Sequence, residues 1–139
     1  MSKPLVSILM NCYNGEKYLN EALNSVINQT YKNWELVFWG NLSIDKSKKI
    51  VKEIKDQRIK YFLSDIHTSQ YEARNMGLEK CSGEFIAFLD VDDYWLPTKL
   101  EEQIKLFTNS EIGFSCTNSW KINERIKGKN KLGFKKIYS

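Results

Sequence analysis

The sequence predicts an α/β fold: a mainly parallel sheet with helices on both faces. Three observations carry the prediction. Short apolar runs alternate with amphipathic segments, each run is apolar at nearly every position, and three of the runs end in polar loops. Near-continuous apolarity marks strands buried on both faces, and the alternation supplies the crossovers that parallel strands need. In such sheets ligands bind at the carboxyl ends of strands, near the switch in strand order.

Leu5 to Met10 has strand length, and Asn14 and Gly15 turn the chain into a helix with Tyr18, Leu19, Ala22, Leu23, Val26 and Ile27 at helical spacing. Trp34 to Trp39 is the second strand. Gly40 and Asn41 break it, and Ser43 or Asp45 is placed to cap a helix whose apolar side is Ile50, Val51 and Ile54. Ile59 to Leu63 is the third strand, followed by a short helix through Ala73, Met76 and Leu78 that should stop near Ser82 and Gly83. Phe85 to Leu89 is the fourth, and it feeds into Asp90, Val91, Asp92 and Asp93. Pro97 suits the first turn of a helix carrying Leu100, Ile104 and Phe107 on one face, and Ile112 to Cys116 is expected as a fifth strand. The loops Asn11–Asn14, Gly40–Ser43 and Asp90–Asp93 all follow strand ends and can share one cleft.

A length of 139 residues, 42% of them hydrophobic, suits one globular domain and not a disordered chain. No apolar run approaches the ~20 residues that cross a bilayer, and the start lacks a secretion signal, so a cytoplasmic location is expected. Cys12, Cys81 and Cys116 are widely spaced and suggest neither a disulfide framework nor a zinc site. Asn118 to Ser139 carries seven basic residues against Glu124, leaving the preceding 117 residues at −2. That tail has no aromatic ladder for nucleic acid, and a solvated segment is expected, with contact to an anionic membrane surface as the alternative.

Three carboxylates stand within four residues in the acidic loop. Oxygen ligands suit Mg²⁺ or Mn²⁺, which one or two carboxylates hold together with substrate phosphates. The i, i+2 spacing puts Asp90 and Asp92 on one side of an extended segment while Val91 points to the core. Asp92 and Asp93 would equally favour the positive end of the helix opened by Pro97. Receiver domains and D-x-D phosphatases place their acidic pair after the first strand, where this chain has Asn11 to Asn14. Neither a phosphate-binding P-loop nor a dinucleotide fingerprint is present, and a single histidine with no G-x-S-x-G serine argues against triad hydrolysis.

Two segments, PLVSILMNCYNGEKYLNEALNSVINQTYKNWELVFW (Pro4 to Trp39) and EARNMGLEKCSGEFIAFLDVDDYWLP (Glu72 to Pro97), resemble the amino-terminal half of family 2 glycosyltransferases of the GT-A fold. The resemblance covers about Pro4 to Lys121 and implies a Rossmann-like domain binding a nucleotide-diphosphate sugar, most often a UDP-sugar. It places Asn11 and Tyr13 at the base, Tyr13 able to stack on it, and Arg74 at the nucleotide or its phosphates, where a guanidinium fork suits. Asp90 would lie near the ribose, and Asp92 would hold a Mg²⁺ or Mn²⁺ ion bridging the diphosphate. The implied reaction is inverting transfer to a glycan, polysaccharide or lipid-linked acceptor.

The chain also departs from the family pattern. Gly40 stands where a leading aspartate is usual, which leaves Asn41 as the acceptor for the imide N–H of uracil through its amide oxygen. Ser69 replaces a frequent glycine and His67 a frequent asparagine. Family members continue for roughly another hundred residues, and the catalytic base is expected beyond Ser139. The resemblance therefore predicts a nucleotide-sugar-binding domain over 3–121, with 122–139 as a basic tail leading toward an acceptor half, and no transfer by the chain alone. A noncatalytic domain that binds a nucleotide sugar or a partner protein is the alternative. A truncated sheet edge leads us to expect self-association.

Overall fold

The computed structural model describes residues 3–109, 111–122 and 134–137. Among them the chain forms β1 (Val6–Cys12), α1 (Leu19–Ile27), β2 (Trp34–Gly40), α2 (Ser47–Glu53), β3 (Ile59–Leu63), α3 (Gln70–Leu78), β4 (Phe85–Phe88), α4 (Lys99–Leu106), β5 (Ser119–Ile122) and β6 (Phe134–Ile137). Two compact units result, Met1–Glu101 and Glu102–Ser139.

In the first unit a four-stranded sheet has the order β3-β2-β1-β4, and each neighbour pair is parallel. The continuous apolar runs are the central strands. β1 and β2 are buried along almost their whole length, whereas the edge strands β3 and β4 are not. Helices cover both faces. Gly77 of α3 lies so close to Leu9 that a Cβ there would meet its Cδ1 at 2.5 Å, while Lys52 of α2 lies 5.6 Å from the ring of Tyr61, whose strand register belongs to the opposite face. Gln29, fully buried at the end of α1, donates to the Leu96 carbonyl at 2.8 Å and accepts from the Leu100 amide at 3.0 Å, clipping the start of α4 onto the sheet layer.

Several expected boundaries move. Lys46 is the residue before α2, but Asp45 still satisfies the helix start, its Oδ1 accepting from the amide of Ser47, the first residue of α2, while its Oδ2 accepts from the Glu16 amide; Ser43 does not cap the helix and accepts from the Asn14 amide instead. Helix α3 ends at Leu78, ahead of Ser82 and Gly83, and Pro97 precedes α4 by a turn and offers its carbonyl to Thr30. Ile112–Cys116 is not a strand; it pairs with no strand among the described residues, and Phe114 is exposed. The strand instead forms at Ser119–Ile122, where antiparallel pairing with Phe134–Ile137 satisfies its backbone. Part of the expected solvated tail is thus paired, while 123–133 and 138–139 lie outside the described residues. No helix among the described residues is long and apolar enough to cross a membrane. Ile86 and Phe88 on edge strand β4 are exposed.

A buried ionic network ties the amino-terminal edge of the sheet together. Glu35 of β2 is only 4% exposed and accepts from Ser7 Oγ of β1 at 2.5 Å, Lys60 Nζ of β3 at 2.5 Å and Ser82 N before β4 at 2.7 Å. Burial pushes its carboxyl up, but these donors outweigh it and hold the pKa at about 2. A depressed carboxylate contributes stability above its unfolded value that is lost as pH falls through the folded one. Stability against urea should therefore drop between about pH 4.5 and pH 2. Glu35→Gln should lower it by roughly 2 kcal/mol at pH 7 and flatten that acid limb, and an unchanged limb would assign the acid sensitivity elsewhere.

Candidate functional site

The carboxyl ends of β1, β2 and β4 meet on one side of the sheet, because β1 pairs with β2 on one flank and β4 on the other. A cleft of about 510 Å³ opens there, between the segments after β1, β2 and β4 and the start of α3. The three strand-end loops expected to share a cleft do so.

Cross-loop hydrogen bonds join the segments that carry its lining. Asn14, in the left-handed region at φ 52°, accepts from the Ile44 amide at 2.9 Å and donates its own amide to Ser43 Oγ at 3.0 Å. Glu16 bonds to two successive residues across the gap: its amide donates to Asp45 Oδ2, and its Oε2 accepts from the Lys46 amide. The backbone that carries Tyr13 is thereby stapled to the backbone that carries Asn41. Leu42 also has positive φ, 56°, which is strained for a branched residue, and the strain sits beside the cleft.

Tyr13 is exposed and packs against His67, ring centroids 4.3 Å apart and planes tilted 46°. Arg74 Nη2 donates to Asp90 Oδ1 at 2.7 Å, so two residues expected near the nucleotide meet each other, with the guanidinium 5.7 Å from the Phe88 ring. Asp90 and Asp92 line the cleft, and Val91 turns back against Gly15, where a Cβ would stand 3.0 Å from its methyl. Loss of water and then the charges of Asp92 and Asp90 raise the Asp93 carboxyl. That mutual repulsion is what a cation relieves, and hard carboxylate oxygens fit Mg²⁺ or Mn²⁺. Among the described residues no group of three or more His, Cys, Asp or Glu converges to hold a metal, so phosphate oxygens would have to complete the shell.

Asn11 and Asn41 sit differently from their expected roles. Asn11 lines the cleft and donates to the Gln70 carbonyl at 3.4 Å, but its Oδ1 is buried with no partner among the described residues. Asn41 is 5% exposed and its amide is spent on one residue: Nδ2 donates to Thr68 O at 2.8 Å, and Oδ1 accepts from Thr68 N at 3.1 Å and Thr68 Oγ1 at 3.2 Å. Both lone pairs of the oxygen expected to receive an imide N–H are engaged. Thr68, Ser69 and Gln70 also line the cleft, and sequence reasoning did not select them. The S-x-x-E signal at Ser69–Glu72 could have located them, since Ser69 caps α3 in a capping box with Glu72. Its φ of −62° needs no glycine.

Gly40 has its own reason. A Cβ there would lie 2.9 Å from Tyr61 Oη and 3.3 Å from Tyr61 Cζ, so the tyrosine hydroxyl fills the space that a side chain would enter. Gly40→Ala should cost roughly 1–2 kcal/mol, and much of that cost should vanish in a Tyr61→Phe background; equal costs in both backgrounds would refute the steric account. Asn41→Asp should weaken the fold by roughly 1–3 kcal/mol at pH 7, because a carboxylate oxygen would face the Thr68 carbonyl. Urea unfolding measures both.

The Glycosyl transferase family 2 model matches residues 7–137. The chain is 42% identical over 130 residues, 93% of its length and 51% of the relative's, to the UDP-Glc:alpha-D-GlcNAc-diphosphoundecaprenol beta-1,3-glucosyltransferase WfgD of Escherichia coli. It superposes on S. aureus TarS in complex with UDP with TM-score 0.72 and 27% identity, covering 76% of this chain and 32% of that one. A mannosyltransferase from Pyrobaculum calidifontis in complex with GDP-Man and Mn²⁺ shares the fold with TM-score 0.78 at 21% identity, over 85% of this chain and 36% of that one. The chain spans about half the length of the curated relatives it matches. The mainly parallel GT-A sheet expected from the resemblance is the one observed, and with the family match running through both units the chain belongs to glycosyltransferase family 2.

Proposed function

We propose that the cleft binds a nucleotide-diphosphate sugar, with a UDP-sugar as the donor, and serves transfer of the sugar to a glycan, polysaccharide or lipid-linked acceptor with inversion. The observation that carries this reading is the convergence at one sheet edge of an exposed aromatic, Tyr13, with the Arg74–Asp90 pair and the carboxylate of Asp92. Family membership and the UDP-glucose named for the E. coli relative support the same donor class.

In this reading Tyr13 offers its face to the base. Arg74 brings a cation to the phosphates, and its pairing with Asp90 holds it at the cleft edge until then; the pair is partly exposed and therefore weak enough to exchange. Asp90 Oδ1 holds Arg74, and its second oxygen is available to a ribose hydroxyl. A Mg²⁺ or Mn²⁺ ion held by Asp92 would offset the charge of the departing diphosphate. Residues 3–121 supply all of these groups, and the base that deprotonates the acceptor is assigned to no residue of this chain.

A second reading keeps donor or partner binding without catalysis. The engaged amide of Asn41 and the glycine at position 40 favour it, since the usual acidic group after β2 is replaced. Calorimetric titration with UDP and UDP-sugars tests the donor site common to both. Binding should require Mn²⁺, and Asp92→Asn should weaken it by about tenfold or more, 1.4 kcal/mol. Equal affinity with and without metal, unchanged in the variant, would overturn the assignment of Asp92.

A further inference from the structure

Resting on the nucleotide reading of the cleft, we propose that His67, not Asn41, receives the ring N–H of the base, so that the ligand is a nucleoside diphosphate whose base carries an imide or lactam N–H. His67 Nδ1 lies 3.2 Å from the Asn41 carbonyl oxygen. A carbonyl can only accept, so Nδ1 carries the proton, and the neutral ring then has its lone pair on Nε2. Nε2 has no protein partner among the described residues. The ring packs on Tyr13, the residue that offers a stacking face, and both line the cleft.

The neighbouring side-chain acceptors are either bonded to other groups or, like the unpartnered Asn11 Oδ1, shut off from solvent. Asn41 Oδ1 takes both donors of Thr68, and the Thr68 carbonyl takes Asn41 Nδ2. Ser69 Oγ is bound into the capping box with Glu72. Asn11 Oδ1 is buried. An acceptor at the aromatic end of the cleft matches a base that donates from its ring nitrogen, as uracil and guanine do, and opposes one that presents a lone pair there, as cytosine does.

Calorimetry of the full chain with UDP and with CDP, in the same Mn²⁺ buffer, tests this. The wild-type chain should prefer UDP by roughly tenfold. His67→Phe keeps an aromatic ring against Tyr13 and removes Nε2; it should bring the ratio near one through loss of UDP affinity, with CDP affinity retained as the sign of an intact fold. His67→Gln, whose amide oxygen can accept, should keep part of the preference. Equal wild-type affinities, or a ratio unchanged in His67→Phe, would overturn the inference while leaving the nucleotide reading in place. Failure of both nucleotides to bind would overturn both readings.

Discussion

Parallel pairing of β1 with β2 on one flank and β4 on the other is the constraint on which everything at the functional edge depends. A strand between two parallel neighbours sends all three carboxyl ends the same way, and the chain must leave β1 and β4 on opposite sides of the switch in strand order. Tyr13, Asn41 and Asp90 follow those three strands, so their proximity is a consequence of topology and not of any direct attraction between them. The buried Glu35 network acts at the opposite end of the same strands, where it joins β1, β2, β3 and Ser82 in the turn leading to β4 through one carboxylate.

Topology brings the loops near, and hydrogen bonds then remove their freedom. Asn14, Glu16, Ser43 and Asp45 pair backbone to side chain across the gap between the first two loops, which gives the polar groups of two turns partners without water. The positive φ of Leu42 is tolerated within that framework. The consequence for recognition is that the side chain of Asn41 after β2 is already engaged. Asn41 acts as a brace for Thr68, and the polar edge open to a ligand shifts to the residue that Asn41 orients, His67.

The departures from the family pattern become physical once neighbours are known. Glycine at 40 is the complement of Tyr61 on the adjacent strand, and serine at 69 is a helix cap. Neither could be interpreted from the chain alone, because one partner is on another strand and the other depends on where α3 begins.

By itself the sequence determined the strand–helix order, the burial of β1 and β2 and the acidic loop after β4, because these follow from local apolar patterning and short motifs. Periodicity reports which residues face a core, so the elements with one clear apolar face were legible to within a few residues. Tertiary structure decided the rest. The edge strands, the conversion of Ile112–Cys116 into unpaired chain and the pairing of Ser119–Ile122 with Phe134–Ile137 depend on which backbone groups find partners far away in sequence. The same holds in the cleft: Arg74 and Asp90 could be named from a motif, but their pairing, the commitment of Asn41 to Thr68 and the tautomer of His67 are hydrogen bonds between distant segments, and no local pattern encodes them.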